Sequence, residues 1–378
     1  MKNNPLKQLG TFGQSIWLDY IRRDLIKSGK LRRLIEEDGV RGMTTNPSIF
    51  EKAIVDGQDY DSDIREIVLK GKGVEAIYEA ISQHDVQSAA DNFRPLYDST
   101  EGEDGYVSLE VNPHLANKTN ETIDEARRLW SALNRPNVFI KVPATANGLP
   151  AIQQLISEGI NINVTLLFGL PRYRQVVEAY IAGMEVRAAQ GKPLKHVASV
   201  ASFFISRIDA TVDPLLEKII EQAGQKADLA KKVHGQVAIA SAKVAYQICK
   251  DIFEDERFRK LADKGARIQR LLLASTGTKN PNYSDVKYIE SLIGKNTVNT
   301  VPLKTLDAYR DHGVPKARLE EDVRDAHWVL AQLSELGINI DKATQQLEDE
   351  GVEKFNKPFD KLMEILKQKS LQYSRRGP

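Results

Sequence analysis

Short apolar runs of four to nine residues alternate with longer stretches of helical periodicity along most of the 378-residue chain. That rhythm restricts the fold more than any other feature. The runs fall at 15–20 (SIWLDY), 42–45 (GMTT), 106–110 (YVSLE), 138–142 (VFIKV), 161–166 (NINVTL), 195–203 (KHVASVASF), 270–275 (RLLLAS) and 297–301 (TVNTV). Most are too short for helices, and they are rich in the Val, Ile, Leu and Thr that suit buried strands. Between them lie patterns such as 119–133 (TNETIDEARRLWSAL), where Thr119 can cap a helix and Ile123, Ala126, Leu129 and Trp130 share one face. Pro150, Pro171 and Pro281 mark the starts of three further candidate helices, where a missing N–H has no intrahelical partner to lose.

Strand–helix alternation calls for parallel strands joined by right-handed crossovers. Eight such units predict a closed (β/α)8 barrel of the TIM type rather than an open doubly wound sheet. Neither a G-x-G-x-x-G nor a G-x-x-x-x-G-K-S/T loop follows a candidate strand, which weighs against the doubly wound alternative. Three additions to the barrel are expected: about two helices over 50–92, a long helical block over 208–265 before the seventh strand, and charged C-terminal helices over 315–370. Residues 371–378, ending SRRGP, read as a frayed tail. No low-complexity linker divides the chain, so 1–378 is read as one domain.

Lys and Arg total 53 against 52 for Asp and Glu, a net charge of +1. That balance points to no nucleic-acid or membrane partner, and no stretch approaches the roughly 20 apolar residues of a membrane span. The single cysteine, Cys249, rules out an intramolecular disulfide and fits a reducing, cytoplasmic setting. The opening MKNNPLKQLG lacks the apolar run of a secretory signal. The six histidines show no close ligand spacing, so no metal is expected.

Catalytic groups of an α/β barrel sit at the C-terminal strand ends and on the loops that follow. Here those ends carry Asp19, Asn46, Glu110, Lys141, Asn163, Thr165, Ser202 and Ser275, where Val, Ile or Leu would be ordinary. Lys141 lies in VFIKVP with apolar residues on both sides. Loss of hydration there favours an amine able to attack a ketone; the alternative is a structural ion pair with Glu110 or Asp19. Asp19 and Glu110 could carry the proton transfers that a Schiff base needs, or could simply compensate the lysine. Asn46 and Asn163 can donate and accept towards hydroxyls, although Asn46 in TTNPS suits an Asx turn or N-cap equally well. Arg207 in SFFISRID and Lys279 in STGTKNP suit a phosphate, since barrel phosphate sites favour late loops and helix N-termini. Solvated surface charge is the commoner fate of such residues. Phe203 and Phe204 read most simply as core packing.

The segments GMTTNPSIF (42–50), VSLEVNP (107–113), FIKVPATANGL (139–149), GININVTLLF (159–168), SFFISRID (202–209) and LLLASTGTKNP (271–281) resemble the transaldolase family, in order over most of the chain. The length and the insertion before the seventh strand are similar to the longer bacterial subgroup. The resemblance implies that Lys141 forms an imine with a donor ketose and that Asp19 exchanges the proton of the hydroxyl at the cleaved bond. Glu110 and Thr165 would hold a water. Asn46, Asn163 and Ser202 would bind hydroxyls of a dihydroxyacetone unit, and Arg207 with Ser275 the phosphate. The implied reaction moves that unit from sedoheptulose 7-phosphate to glyceraldehyde 3-phosphate, giving erythrose 4-phosphate and fructose 6-phosphate. It uses no cofactor or metal and, beyond these sugar phosphates, no partner; a monomer or a homodimer is expected.

Shorter family members carry a second phosphate arginine where this chain has Gly277, and Lys279 is inferred to supply that charge. The related fructose 6-phosphate aldolases are much shorter and carry Tyr at the position of Phe204, so Phe204 and the helical additions favour transfer. A binding or scaffold barrel without activity is disfavoured, because such a barrel gains nothing by burying Lys141 beside carboxylates. The C-terminal helix, with Phe355 and Phe359, is expected to fold over the barrel mouth as a partial lid.

Overall fold

The protein is described by a computed structural model that covers residues 4–55 and 57–375. Eight strands, β1 (Gln14–Asp19), β2 (Val40–Thr44), β3 (Tyr106–Glu110), β4 (Val138–Pro143), β5 (Ile162–Leu167), β6 (Ser199–Phe204), β7 (Arg270–Ala274) and β8 (Thr297–Val301), close into a barrel in chain order. Every neighbouring pair is parallel, β8 returning to β1. The expected (β/α)8 barrel is therefore the observed one. Expected strand limits fall within two residues of those seen, except at β6. That strand begins at Ser199 rather than 195, because Lys195 and His196 are exposed and cannot enter a strand buried on both faces.

The helical additions differ in detail. Three helices follow β2, not about two: Pro47–Val55, Asp61–Leu69 and the 26-residue Val74–Ser99. Gly71, with φ +70°, turns the chain between the last two in a conformation that a side chain would strain. Four helices fill the block before β7, from Ser206–Glu221 to Glu256–Ala262. Pro150 and Pro171 do lie in the first turns of Gly148–Glu158 and Leu170–Ala189. The helix expected after Pro281 shrinks to Lys287–Ser291. There Tyr283 and Tyr288 donate their hydroxyls to Asp213 (2.7 Å) and Asp209 (2.8 Å), which fixes the segment from outside in place of helical bonds. The last helix, Ile340–Arg375, runs through the first five residues of the segment expected to fray, and 376–378 lie outside the described residues. Among the described residues no helix is long and apolar enough to cross a membrane.

The barrel interior is layered. Its lower part is filled by Trp17, Tyr106 and Phe139, all buried, with ring centroids 5.9 Å apart for Trp17–Phe139 and 4.3 Å for Tyr106–Phe139. Deleting one such ring typically costs about 3–5 kcal/mol. Gly42, paired in register with Trp17 and Tyr106, leaves room for the indole, since a Cβ there would stand 2.6 Å from the Trp17 ring. Strand side chains alternate between faces. Two residues beyond Trp17, Gly42 and Phe139, and four beyond Tyr106, the same face therefore presents Asp19, Thr44, Lys141 and Glu110. A packed aromatic floor thus supports a polar layer at the C-terminal ends.

The last helix crosses that end of the barrel. It is tied down by Arg172–Glu348 (2.9 Å), Lys361–Glu51 (2.7 Å), His114–Asp360 (2.6 Å) and Lys369–Asp61 (2.6 Å). Leu362 and Leu366 are buried beneath it.

Candidate active site

Lys141 and Glu110 stand side by side on adjacent strands, in register. The lysine Nζ donates to Glu110 Oε1 and, at 2.7 Å, to the carbonyl of Thr45. Both side chains are almost enclosed, 6% and 8% exposed. Burial pushes the Glu110 carboxyl up to about 7, with nearby Asp19 adding to the rise, and the Lys141 charge only partly opposes it. Asp19, at the end of β1, accepts a hydrogen bond from Thr44 Oγ1 at 2.9 Å. Its carboxyl is also raised, mainly by burial and against the pull of Lys141, Lys279 and Arg207. Two carboxyls poised to exchange protons therefore flank one enclosed primary amine.

Thr165 lies two residues beyond the inward-facing Asn163, on the same face of β5, and shares a cavity with the amine. The β5–β6 register shifts between Val164 and Leu167, and Leu166 takes φ +57°, a left-handed conformation rare for a leucine. This irregularity interrupts the pairing with β6 just beyond Thr165. The Thr165 hydroxyl is buried with no hydrogen-bond partner among the described residues. It lines, with Glu110, Lys141, Pro143, Leu166 and Phe355, a cavity of about 10 Å³, enough for a single water when polar groups are present to hold it.

A larger cavity, about 330 Å³, opens above this point. Lys141, Asp19, Asn46, Thr165, Ser202, Phe204, Arg207, Ser275 and Lys279 all reach its wall. On the same wall, Arg207 sits in the first turn of Ser206–Glu221, where unpaired N–H groups and the helix dipole favour an anion. Ser275, at φ +55°, brings its Oγ within 3.1 Å of Ser206 Oγ. Burial lowers the pKa of both Arg207 and Lys279, and Lys279 is lowered further by the positive charges of Arg207 and Lys52. Cations that lose hydration and repel one another form a ready site for a dianion. Phe204 forms part of the wall, tilted against Phe168 at 5.1 Å with the Arg207 guanidinium 5.8 Å from its ring.

Two candidates sit differently from the rest. Asn163 lies below the cavity: fully buried, it donates to Ser108 Oγ (3.1 Å) and accepts from Ser202 Oγ (2.7 Å). Asn46 caps the helix Pro47–Val55, accepting the Ile49 N–H at 3.0 Å, while still lining the cavity, so both of its expected roles are compatible. Of the two lid aromatics, Phe355 reaches the cavity with its ring 5.9 Å from Lys141 Nζ. Phe359 packs edge-on against Tyr78 (5.4 Å) and His114 (6.0 Å) instead.

Sequence reasoning missed Thr44, Ser48, Lys52, Thr300 and Lys354, which complete the wall. Thr44 and Thr300 were legible as polar residues at strand ends, whereas the two lysines resemble any solvated helix lysine. A further cavity of about 400 Å³ opens at the opposite end of the barrel beneath Trp17, Tyr106 and Phe139, and none of the strand-end polar groups reaches it.

Comparison with known proteins gives the family. A family model described as Transaldolase/Fructose-6-phosphate aldolase matches residues 16–366. A protein named Transaldolase from Trichodesmium erythraeum is 47% identical over 373 residues, 98% of each chain. A Transaldolase 2 from Nostoc punctiforme is 47% identical over 375 residues, again 98% of each chain. A Transaldolase from Mycobacterium tuberculosis is 44% identical over 365 residues, 96% of each.

Proposed function

The chain belongs to the transaldolase/fructose-6-phosphate aldolase family, and from that premise we propose that it is a transaldolase acting through a Schiff base on Lys141. It moves a dihydroxyacetone unit from sedoheptulose 7-phosphate to glyceraldehyde 3-phosphate, yielding erythrose 4-phosphate and fructose 6-phosphate. The observation that carries this reading is the enclosed Lys141 amine beside two raised carboxyls, on the wall of a cavity that Arg207, Ser275 and Lys279 also line.

In this mechanism Glu110, held near neutrality, takes the ammonium proton from Lys141, whose nitrogen then adds to the ketose carbonyl. Glu110 returns a proton to the departing hydroxyl, and the water released rests between Glu110 and the Thr165 hydroxyl. Asp19 accepts the proton of the sugar hydroxyl on the far side of the carbon–carbon bond as that bond breaks. The electron pair moves into the protonated imine, leaving an enamine on Lys141 and freeing the aldehyde. The enamine attacks the acceptor aldehyde, Asp19 returns its proton to the new alkoxide, and the water held by Glu110 and Thr165 hydrolyses the imine.

Asn46 and Ser202 bind hydroxyls of the dihydroxyacetone unit, with Asn163 orienting Ser202 from beneath. Phe204 and Phe355 keep bulk water from the enamine, as transfer rather than release requires. Arg207, Ser275 and the N-terminus of Ser206–Glu221 hold the phosphate, and Lys279 supplies the second charge as a point cation rather than a fork. The relatives' names, Transaldolase and Transaldolase 2, and their full-length similarity support transfer over simple aldol cleavage.

The test is release of glyceraldehyde 3-phosphate from fructose 6-phosphate, with and without erythrose 4-phosphate. Release that depends on the acceptor is expected. Equal release without it would make the protein an aldolase.

A further inference from the structure

Besides Lys141, four cationic side chains from four separate elements line the cavity: Lys52 on the helix after β2, Arg207 after β6, Lys279 after β7 and Lys354 on the last helix. Of these four, Arg207 and Lys279 have a place in the reading above and Lys52 and Lys354 do not. Lys354 is engaged with an anion of its own helix, donating at 2.7 Å to Glu350 one turn earlier, and the Gln346 amide donates to the other Glu350 oxygen at 2.7 Å. These donors, with Arg207 contributing at longer range, hold Glu350 below its usual carboxylate range. Arg207 in turn feels Glu350 as one of its two stabilising anions, the other being Asp19. Glu350 is not itself on the cavity wall, but Lys354, which is, directs its ammonium to that carboxylate rather than to the cavity.

We propose that Glu350 is a displaceable counter-ion of the phosphate site, and that Lys354 is a specificity-determining residue that transfers from Glu350 to the substrate's phosphate. This rests on the sugar-phosphate reading given above. The Lys354–Glu350 pair is about half exposed on both sides, 51% and 42%. An i,i+4 pair of that exposure contributes little and opens readily. A phosphate dianion offers more charge and more acceptor oxygens than one carboxylate. The exchange also explains how the last helix can matter to a substrate bound among barrel loops. Lys354 would grip its phosphate end while the adjacent Phe355 covers Lys141 at the other. A substrate without phosphate cannot displace Glu350 and forgoes this contact.

Calorimetric titration with inorganic phosphate, at fixed ionic strength, tests this without turnover. Lys354→Met is expected to weaken phosphate binding about fivefold, the scale of one exposed charge pair. Glu350→Gln, which keeps size and polarity but removes the competing charge, is expected to tighten it about threefold by the same reasoning. Either variant binding phosphate like the wild type overturns the proposal. In borohydride trapping, Lys354→Met should raise the half-saturating concentration of fructose 6-phosphate more than that of dihydroxyacetone, and an equal rise for both also overturns it. Failure of the wild type to trap either ketose on Lys141 would instead sink the Schiff-base reading, so the two failures are distinct.

Discussion

Replacing Thr165 by valine should make the protein more stable and much slower. The two side chains have nearly the same shape, and valine suits a strand at least as well as threonine. Backbone bonding is untouched, since the Thr165 carbonyl still accepts the Ala144 N–H at 2.7 Å. What changes is the hydroxyl, which is buried without a partner among the described residues. A buried polar group left unsatisfied costs about 1–3 kcal/mol. A water in the adjoining cavity of about 10 Å³ would offset part of that cost, so Thr165→Val should stabilise by about 1 kcal/mol. Urea unfolding, followed by circular dichroism, would show this as a higher midpoint with unchanged slope. Turnover should fall by about 10²-fold or more, in the range of lost proton-transfer assistance, because the water for imine formation and hydrolysis loses one of its two anchors. A variant destabilised by 1 kcal/mol or more, or one with wild-type turnover, would refute the reasoning.

Two further outcomes follow from buried charge. Arg23, 3% exposed, donates to the equally enclosed Asp85 at 2.9 Å, and Tyr60 donates to the other Asp85 oxygen at 2.8 Å. Arg23→Met leaves Asp85 uncompensated and should cost about 3–5 kcal/mol in urea unfolding; a loss below 1 kcal/mol would contradict that. Glu110 sits at about 7 in the folded protein against an ordinary 4.5, so the folded state holds a proton that the unfolded chain releases. The stability this contributes is complete below pH 4.5 and is lost as pH rises through 7, about 3 kcal/mol in all. Unfolding curves at pH 5 and pH 8 should show a decline that Glu110→Gln reduces by that order, and an undiminished decline would argue against the assignment.

The barrel was legible because parallel strands covered on both faces are near-continuous runs of branched residues, and eight such runs alternate with helices. The polar ends were legible for the opposite reason: Asp19, Glu110, Lys141 and Thr165 stand where apolar residues are ordinary. What escaped depends on tertiary contacts. NVTLL reads as uniform strand, and nothing in it signals the left-handed Leu166 that interrupts the pairing with β6 just beyond Thr165. The stretch after Pro281 has helical periodicity, but Asp209 and Asp213, some 70 residues earlier, capture its tyrosines. Lys52 and Lys354 lie on helices distant in sequence, and only chain closure brings them to one mouth. Asn163 was readable as inward-facing, but its engagement with both Ser108 and Ser202 was not.

The most direct test of the central claim is reductive trapping. The protein is incubated with fructose 6-phosphate, treated with borohydride, and analysed by intact mass and peptide mapping. Borohydride converts an imine into a stable secondary amine, so the account predicts a reduced dihydroxyacetone adduct on Lys141 and none in Lys141→Ala. A folded wild-type protein that gives no adduct, or one modified at another lysine, would leave Lys141 as the ion-pair partner of Glu110 and contradict the Schiff-base mechanism.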